Sequence, residues 1–225
     1  MHLYYFLYEL FFSINTFLVL CDMLNLTLMD EGDWMPKRWL FGFILSLALW
    51  SSWWAWGQDQ WISQRFFTTQ SVWLVVFTMI LLIVLGPKHP IAVFATGITT
   101  LNMTITGLVY HFVLETPPLH FQAHLSHTIL PLLMLGVFLF ALEKPLPFKW
   151  GFVLLLYPLL YLSYFILFGA ALNWYPYPFM DVSVLGLAAV LRFSLGVLTP
   201  VFAFLALLLL WLQAKTIKKD RLPGL

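Results

Sequence analysis

Six runs of about twenty apolar residues, the length a helix needs to cross a bilayer's hydrocarbon core, leave this chain one choice of solvent. They cover roughly 39–56, 67–86, 91–114, 125–142, 150–170 and 184–212. Only helices can span there as single segments, because hydrocarbon offers no partner to an open backbone N–H or C=O. Charged residues make up 9% of the chain, against about 25% in soluble domains, too few to clothe a water-facing surface. The breaks are chemically sensible: Gly86-Pro87-Lys88-His89-Pro90, Thr116-Pro117-Pro118 and Glu143-Lys144-Pro145-Leu146-Pro147 each stop a helix. The expected fold is an all-α integral membrane bundle of six transmembrane helices over residues 35–215, with a basic tail at 216–225.

The 11 Lys and Arg residues sort by side. Lys37, Arg38, Lys88, Lys144, Lys149, Lys215, Lys218, Lys219 and Arg221 fall at one end of the spans. Only Arg65 lies in the opposite loops, and Arg192 sits inside the sixth span. Positive-inside bias therefore predicts a multi-pass cell-membrane protein with its C-terminus in the cytoplasm. Residues 1–34 are apolar from Leu3 to Cys21 and then acidic at Asp30, Glu31 and Asp33, with no cleavage-site pattern of a signal peptide. They are expected to form a seventh span, an interfacial helix or an extension outside the core. A net charge of +1 offers no field for nucleic acid, and Cys21 alone makes no internal disulfide.

Polar side chains are costly within spans, so their positions are informative. They gather at the end opposite the lysines: Thr68, Thr69 and Ser71 opening span two, Glu115 closing span three, and His120, His124 and His127 leading into span four. Trp174 to Phe179, with Asp181, join spans five and six. Thr99, Asn102, Thr106 and Tyr110 share one face of span three, and Tyr157, Tyr161 and Tyr164 one face of span five. Such stripes either bond helix to helix or climb toward a hydrated cavity. The spacing His120-x-x-x-His124-x-x-His127 is geometrically open to a metal. Six histidines in all are too few for the several histidine boxes of membrane iron enzymes, and no metal or other cofactor is expected. No lysine within a span, no His-Glu-x-x-His and no Gly-x-Ser-x-Gly occurs.

Nucleophilic chemistry remains. A Thr or Ser hydroxyl is nearly inert until a neighbouring base takes its proton. Thr68 and His127 lie at comparable depth, at the tops of spans two and four. Glu115 or Asp181 is placed to support the imidazole as a triad's third member, and Tyr110 and Asn102 are candidate donors to an oxyanion. Thr69, Ser71 and Ser126 compete with Thr68 as nucleophile.

Phe66-Phe67-Thr68-Thr69-Gln70-Ser71, Thr106 to His111, His127-Thr128-Ile129-Leu130-Pro131, Tyr157-Pro158-Leu159-Leu160-Tyr161 and Trp174-Tyr175-Pro176-Tyr177-Pro178-Phe179-Met180-Asp181 occur in that order. Over roughly 38–215 the chain resembles a bacterial six-span membrane family related to the animal androgen-induced and androgen-dependent membrane proteins. Those animal proteins are threonine hydrolases of fatty acid esters of hydroxy fatty acids. The resemblance implies a Thr nucleophile and a His base, matching Thr68 behind its aromatic residues and His127 before Thr128 and Leu130-Pro131, with His124 in a supporting place. The chain departs from the animal pattern in a shorter His127-to-Pro131 spacing and in carrying Val113-Leu114 where an Asp-Arg pair precedes the family's Glu.

Arg192 lies eleven residues after Asp181, nearly the same face of a continuous helix, so an ion pair is expected there; binding a substrate carboxylate is the sharper alternative. Tyr161 and Tyr177 are further candidate substrate contacts. Two functions follow as expectations: a membrane lipid ester hydrolase working near the outer leaflet, or a non-enzymatic solute transporter or lipid-binding protein using the same cavity.

Overall fold

Each apolar run winds into a helix because, in lipid, only intrasegment hydrogen bonds satisfy its backbone. The structure is a computed structural model describing residues 34–59, 63–113, 121–172 and 174–221. The segment 1–33, Glu115 and His120 lie outside the described residues. Six helices are long and apolar enough to cross a membrane: α1 (Pro36–Gly57), α2 (Phe67–Leu85), α3 (Pro90–Phe112), α4 (Phe121–Ala141), α5 (Phe148–Leu172) and α6 (Leu187–Ile217). Among the described residues there is no strand. α1 packs on α2, α2 on α3 and α3 on α4, while α6 closes against the end of α4 and the start of α5.

The bundle is dressed for lipid. Phe152 is 85% exposed and Trp53 78%, an outer surface that water would not tolerate over so wide an area. The interior holds Phe41, Ile44, Met79, Leu82, Leu101, Met134 and Phe138, all closed to solvent. Several polar groups inside pair from helix to helix. Thr78 and Thr99 join α2 to α3 at 2.7 Å. Gln213 of α6 accepts from the Leu146 amide at 2.8 Å and donates to the Phe138 carbonyl at 3.0 Å. This pairing explains why α6 runs past the apolar stretch that ends near residue 212.

An ion cluster ties one end together. Lys37 meets Glu143 at 3.1 Å and Lys88 meets the same carboxylate at 2.7 Å. The start of α1, the α2–α3 turn and the α4–α5 turn therefore share an end, as the charge sorting required. α6 starts later than the sequence suggests because Gly186, at φ 77°, breaks the chain between a short turn at Val182–Leu185 and Leu187.

α4 is irregular for a reason legible in its residues. Proline has no N–H, so Pro131 cannot donate to the His127 carbonyl four residues back. The backbone answers with a π-helical turn over Leu125–Ile129, closed by the Leu130 amide on the Leu125 carbonyl. Such turns are often found at functional sites.

Candidate active site

Thr68 stands in the first turn of α2, whose preceding residue, Phe66, has no side chain able to cap it. The first amides of a helix lack intrahelical partners. Two tyrosines reach this turn from elsewhere. Tyr161 of α5 donates to the Arg65 carbonyl at 2.9 Å. Tyr177, in the α5–α6 loop, sets its phenol against the Thr68 hydroxyl and the backbone of Phe67 and Thr68. Burial pushes the Tyr177 phenol up to about 12, and its hydrogen bonding with the Thr68 side chain and the backbone of Phe67 and Thr68 opposes that rise. Tyr177 is thus a neutral hydroxyl at neutral pH.

His127 lies in the π-turn of α4, and its Nε2 is 3.2 Å from Thr68 Oγ1. Its Nδ1 is 2.9 Å from the Ala123 carbonyl. A carbonyl only accepts, so the proton belongs on Nδ1, which leaves the Nε2 lone pair to receive the Thr68 O–H. Ser126 Oγ also lies 2.9 Å from Nδ1, and its hydroxyl faces the carbonyls of Gln122 and Ala123 at 3.1 and 3.3 Å. Tyr110 of α3 stacks on the imidazole with centroids 4.2 Å apart and planes at 23°. The ring is therefore held on one face and at both nitrogens.

Close packing sets the α3–α4 distance. A Cβ placed on Gly107 would meet the His127 carbonyl at 3.1 Å and the Pro131 ring at 3.5 Å. Glycine admits the π-turn's bulge against α3.

The pair faces a cavity of about 400 Å³, within the size range of small-molecule sites. Its walls are mostly apolar, among them Phe67, Val72, Ile105, Leu162 and Phe202, and the Pro176–Met180 stretch forms part of its lining. Thr68, Tyr110, His127, Tyr161 and Tyr177 all line it.

Other expected site residues go elsewhere. Asp181 does not support His127: its carboxylate caps the Val182–Leu185 turn, accepting from the amides of Ser183 and Val184 and from the Ser183 hydroxyl. That Ser183 hydroxyl, with the two amides, holds the Asp181 carboxyl below the usual range. The Asp181–Arg192 ion pair does not form, because Gly186 interrupts the helix on which their shared face depended. Arg192 is exposed and donates to the Ala188 carbonyl at 3.2 Å, and it does not line the cavity. Asn102 sits two turns below Tyr110, about 12 Å at helical rise, where it donates to the Ile98 carbonyl at 2.7 Å. Its depth takes it off the oxyanion position. His124 is half-buried one turn before His127 and outside the cavity lining.

Of the competing nucleophiles, Ser71 is buried away from the cavity, and Ser126 lies at the protonated nitrogen. Thr69 lines the cavity beside Thr68, but the ring's accepting nitrogen meets Thr68. Among the described residues no three of His, Cys, Asp and Glu gather as metal ligands would. Reasoning from sequence missed the Ala123 carbonyl as the imidazole's partner. The signal available was Pro131, whose missing N–H announces an irregular turn in the preceding residues of α4. Comparison with family models, curated proteins and solved structures finds no match for this chain.

Proposed function

We propose that this protein is an integral-membrane lipid ester hydrolase in which Thr68 is the nucleophile and His127 the general base. One observation carries the reading: a threonine hydroxyl 3.2 Å from an imidazole nitrogen whose partner nitrogen is committed to a backbone carbonyl, at the wall of an apolar cavity. This is the nucleophile–base–orienter relation of hydrolytic triads, with a carbonyl in the orienter's place.

The chemistry balances on these groups. Thr68 Oγ adds to the ester carbonyl as its proton passes to His127 Nε2. The tetrahedral oxyanion forms beside the Tyr177 hydroxyl and the positive end of α2, where donors and dipole favour negative charge. The C–O bond to the alcohol breaks, and the imidazolium returns its proton to that oxygen. Water then adds to the acyl-threonine, His127 takes its proton, and collapse releases the acid and restores the Thr68 hydroxyl. The Tyr110 face stabilises the transient imidazolium.

The likeness to threonine hydrolases of fatty acid esters supports the same pair. The cavity also bears on the choice against transport: among the described residues its lining descends to Leu162 and Phe202 and includes none at the lysine-rich end, which supports a one-ended pocket. By the charge rule this end is extracytoplasmic, the site lies near the outer leaflet and the C-terminus is cytoplasmic.

The test is active-site labelling. Protein purified in detergent should react with a fluorophosphonate probe at Thr68. The Thr68→Ala and His127→Ala variants should be unlabelled, and Thr68→Ser labelled. Equal labelling of wild type and both alanine variants overturns the reading.

A further inference from the structure

Beside the Thr68–His127 pair stands a further histidine that hydrolysis does not use. His111 follows Tyr110 on α3, and its Nε2 is 2.9 Å from Oγ1 of Thr128, the residue after His127. Its ring meets the Tyr110 ring edge-on, with centroids 5.0 Å apart and planes at 87°. Tyr110 in turn stacks on His127. Two successive residues of α3 thus contact two successive residues of α4.

A threonine inside a helix commonly returns its hydroxyl to the carbonyl four residues back. Thr96, Thr104 and Thr216 do so here, at 2.7, 2.8 and 2.9 Å. Thr128 reaches instead to another helix. The π-turn over Leu125–Ile129 permits that reach: with more residues to the turn, it advances fewer degrees per residue than an α-turn, so His127 and Thr128 both face α3. Pro131 demands an irregular turn but does not decide which way its residues point. Side chains of α3 decide it. Gly107 leaves room against the His127 carbonyl, and His111 holds Thr128.

Building on the hydrolase reading, the geometry points to His111 as a positioning residue for the general base. Through Thr128 it fixes the turn that carries His127, and so keeps the imidazole's Nδ1 on the Ala123 carbonyl and its Nε2 on Thr68. His111 does not line the cavity, so its effect on the reaction passes through His127. A base whose ring is free to turn loses the alignment that proton transfer needs.

The test reads His127 in two ways on the full protein in detergent. One is the rate of fluorophosphonate labelling at saturating probe. The other is the pair of His127 ring-nitrogen NMR resonances in protein made with isotope-labelled histidine, assigned by their loss in His127→Ala. Wild type should show one protonated and one unprotonated nitrogen, a single tautomer. Thr128→Val, which removes the hydroxyl at nearly constant shape, and His111→Leu should each slow labelling about tenfold, the worth of one hydrogen bond. The half-saturating probe concentration should stay as it is, and the two resonances should move toward each other as the tautomers mix. The double substitution should be no slower than either alone, because both remove the same bond. Thr128→Ser should restore rate and tautomer. A bond that only braced the helices would lower the melting temperature and leave both readouts where they were. Overturning results are an unchanged rate and tautomer in Thr128→Val, losses that multiply in the double substitution, or a Thr128→Ser variant no better than Thr128→Val. If wild type is not labelled at Thr68, the hydrolase reading falls, and the nitrogen resonances still decide whether His111 holds His127.

Discussion

Gly107→Ala separates catalytic geometry from stability. The new Cβ would lie 3.1 Å from the His127 carbonyl and 3.5 Å from Pro131 Cβ. Ordinary contact begins near 3.4 Å, and a backbone carbonyl, unlike the tip of a flexible side chain, has no rotamer to turn into. Relief therefore requires α4 to shift by about 0.3 Å at His127, a small but real displacement in a close-packed interior. The Thr68–His127 bond is already 3.2 Å long, and added length or tilt brings it to the edge of what counts as a hydrogen bond. A general base contributes about 10²–10⁴ in rate, so a weakened rather than absent contact should cost about tenfold. Stability should hardly move. Alanine gains about 0.8–1 kcal/mol over glycine within a helix, and local overpacking costs about 1 kcal/mol or more. The assay pairs the fluorophosphonate labelling rate with thermal unfolding followed by tryptophan fluorescence. A labelling rate equal to wild type would refute the claim that α3 packing sets the histidine's position. A collapse in melting temperature would refute the claim that glycine is there for the site.

Tyr177→Phe removes the hydroxyl beside Thr68, and labelling should slow by about 100- to 1,000-fold with the fold intact, as loss of an oxyanion donor does. Because burial raises the Tyr177 phenol to about 12, it stays protonated where an ordinary phenol near 10 ionises. Wild-type labelling, corrected for probe hydrolysis, should show no fall between about pH 9 and pH 10.5. Asp181→Asn should leave labelling within about twofold of wild type, since an amide oxygen still caps a helix; a large loss would restore Asp181 to the catalytic set. Glu143→Gln leaves Lys37, buried, beside Lys88 without their shared counter-charge. It should lower stability by about 2 kcal/mol, the scale of a charge-assisted hydrogen bond, with labelling unchanged because the cluster lies at the far end of the bundle.

The spans were legible because backbone satisfaction in lipid demands long uninterrupted apolar runs, and prolines and lysines marked where they stop. α4 and α6 show where that logic ends. A window reading treats Val184 onward as one helix, but Gly186 adopts a positive φ and restarts it, and with that break the helical arithmetic linking Asp181 to Arg192 fails. Depth alone allowed Thr68 and His127 to meet, at the same end of spans two and four, but left Thr69, Ser71 and Ser126 in competition; the family resemblance pointed to the pair. Burial of Thr106 against Asn102 was not legible. Both sit on one stripe of α3, and only the position of α1 and α4 around it decides that Thr106 faces the cavity while Asn102, a turn deeper, returns its amide to its own helix. The aromatic-rich loop carried Tyr177 by composition, yet its phenol reaches Thr68 through a fold-back between Pro176 and Pro178 that no periodicity describes.

The start of α2 explains why these parts occur together. Phe66 cannot cap, so the first amides of α2 come without local partners, a cost of several kcal/mol for each group left open in a bilayer. A serine or aspartate at that position would settle the cost locally and fill the space an ester oxygen needs. Here the amides are met instead by hydroxyl oxygens brought from distant elements, the Tyr177 phenol against Phe67 and Thr68 and the Tyr161 phenol against Phe67. A phenol carried on a loop is a replaceable partner in a way that a covalently adjacent cap is not. Helix dipole, amides held by a replaceable partner and a neutral phenol then coincide with the threonine whose hydroxyl faces an imidazole lone pair. For packing alone, a capped helix with a leucine at position 68 would serve better; the uncapped helix is costly unless negative charge develops beside it.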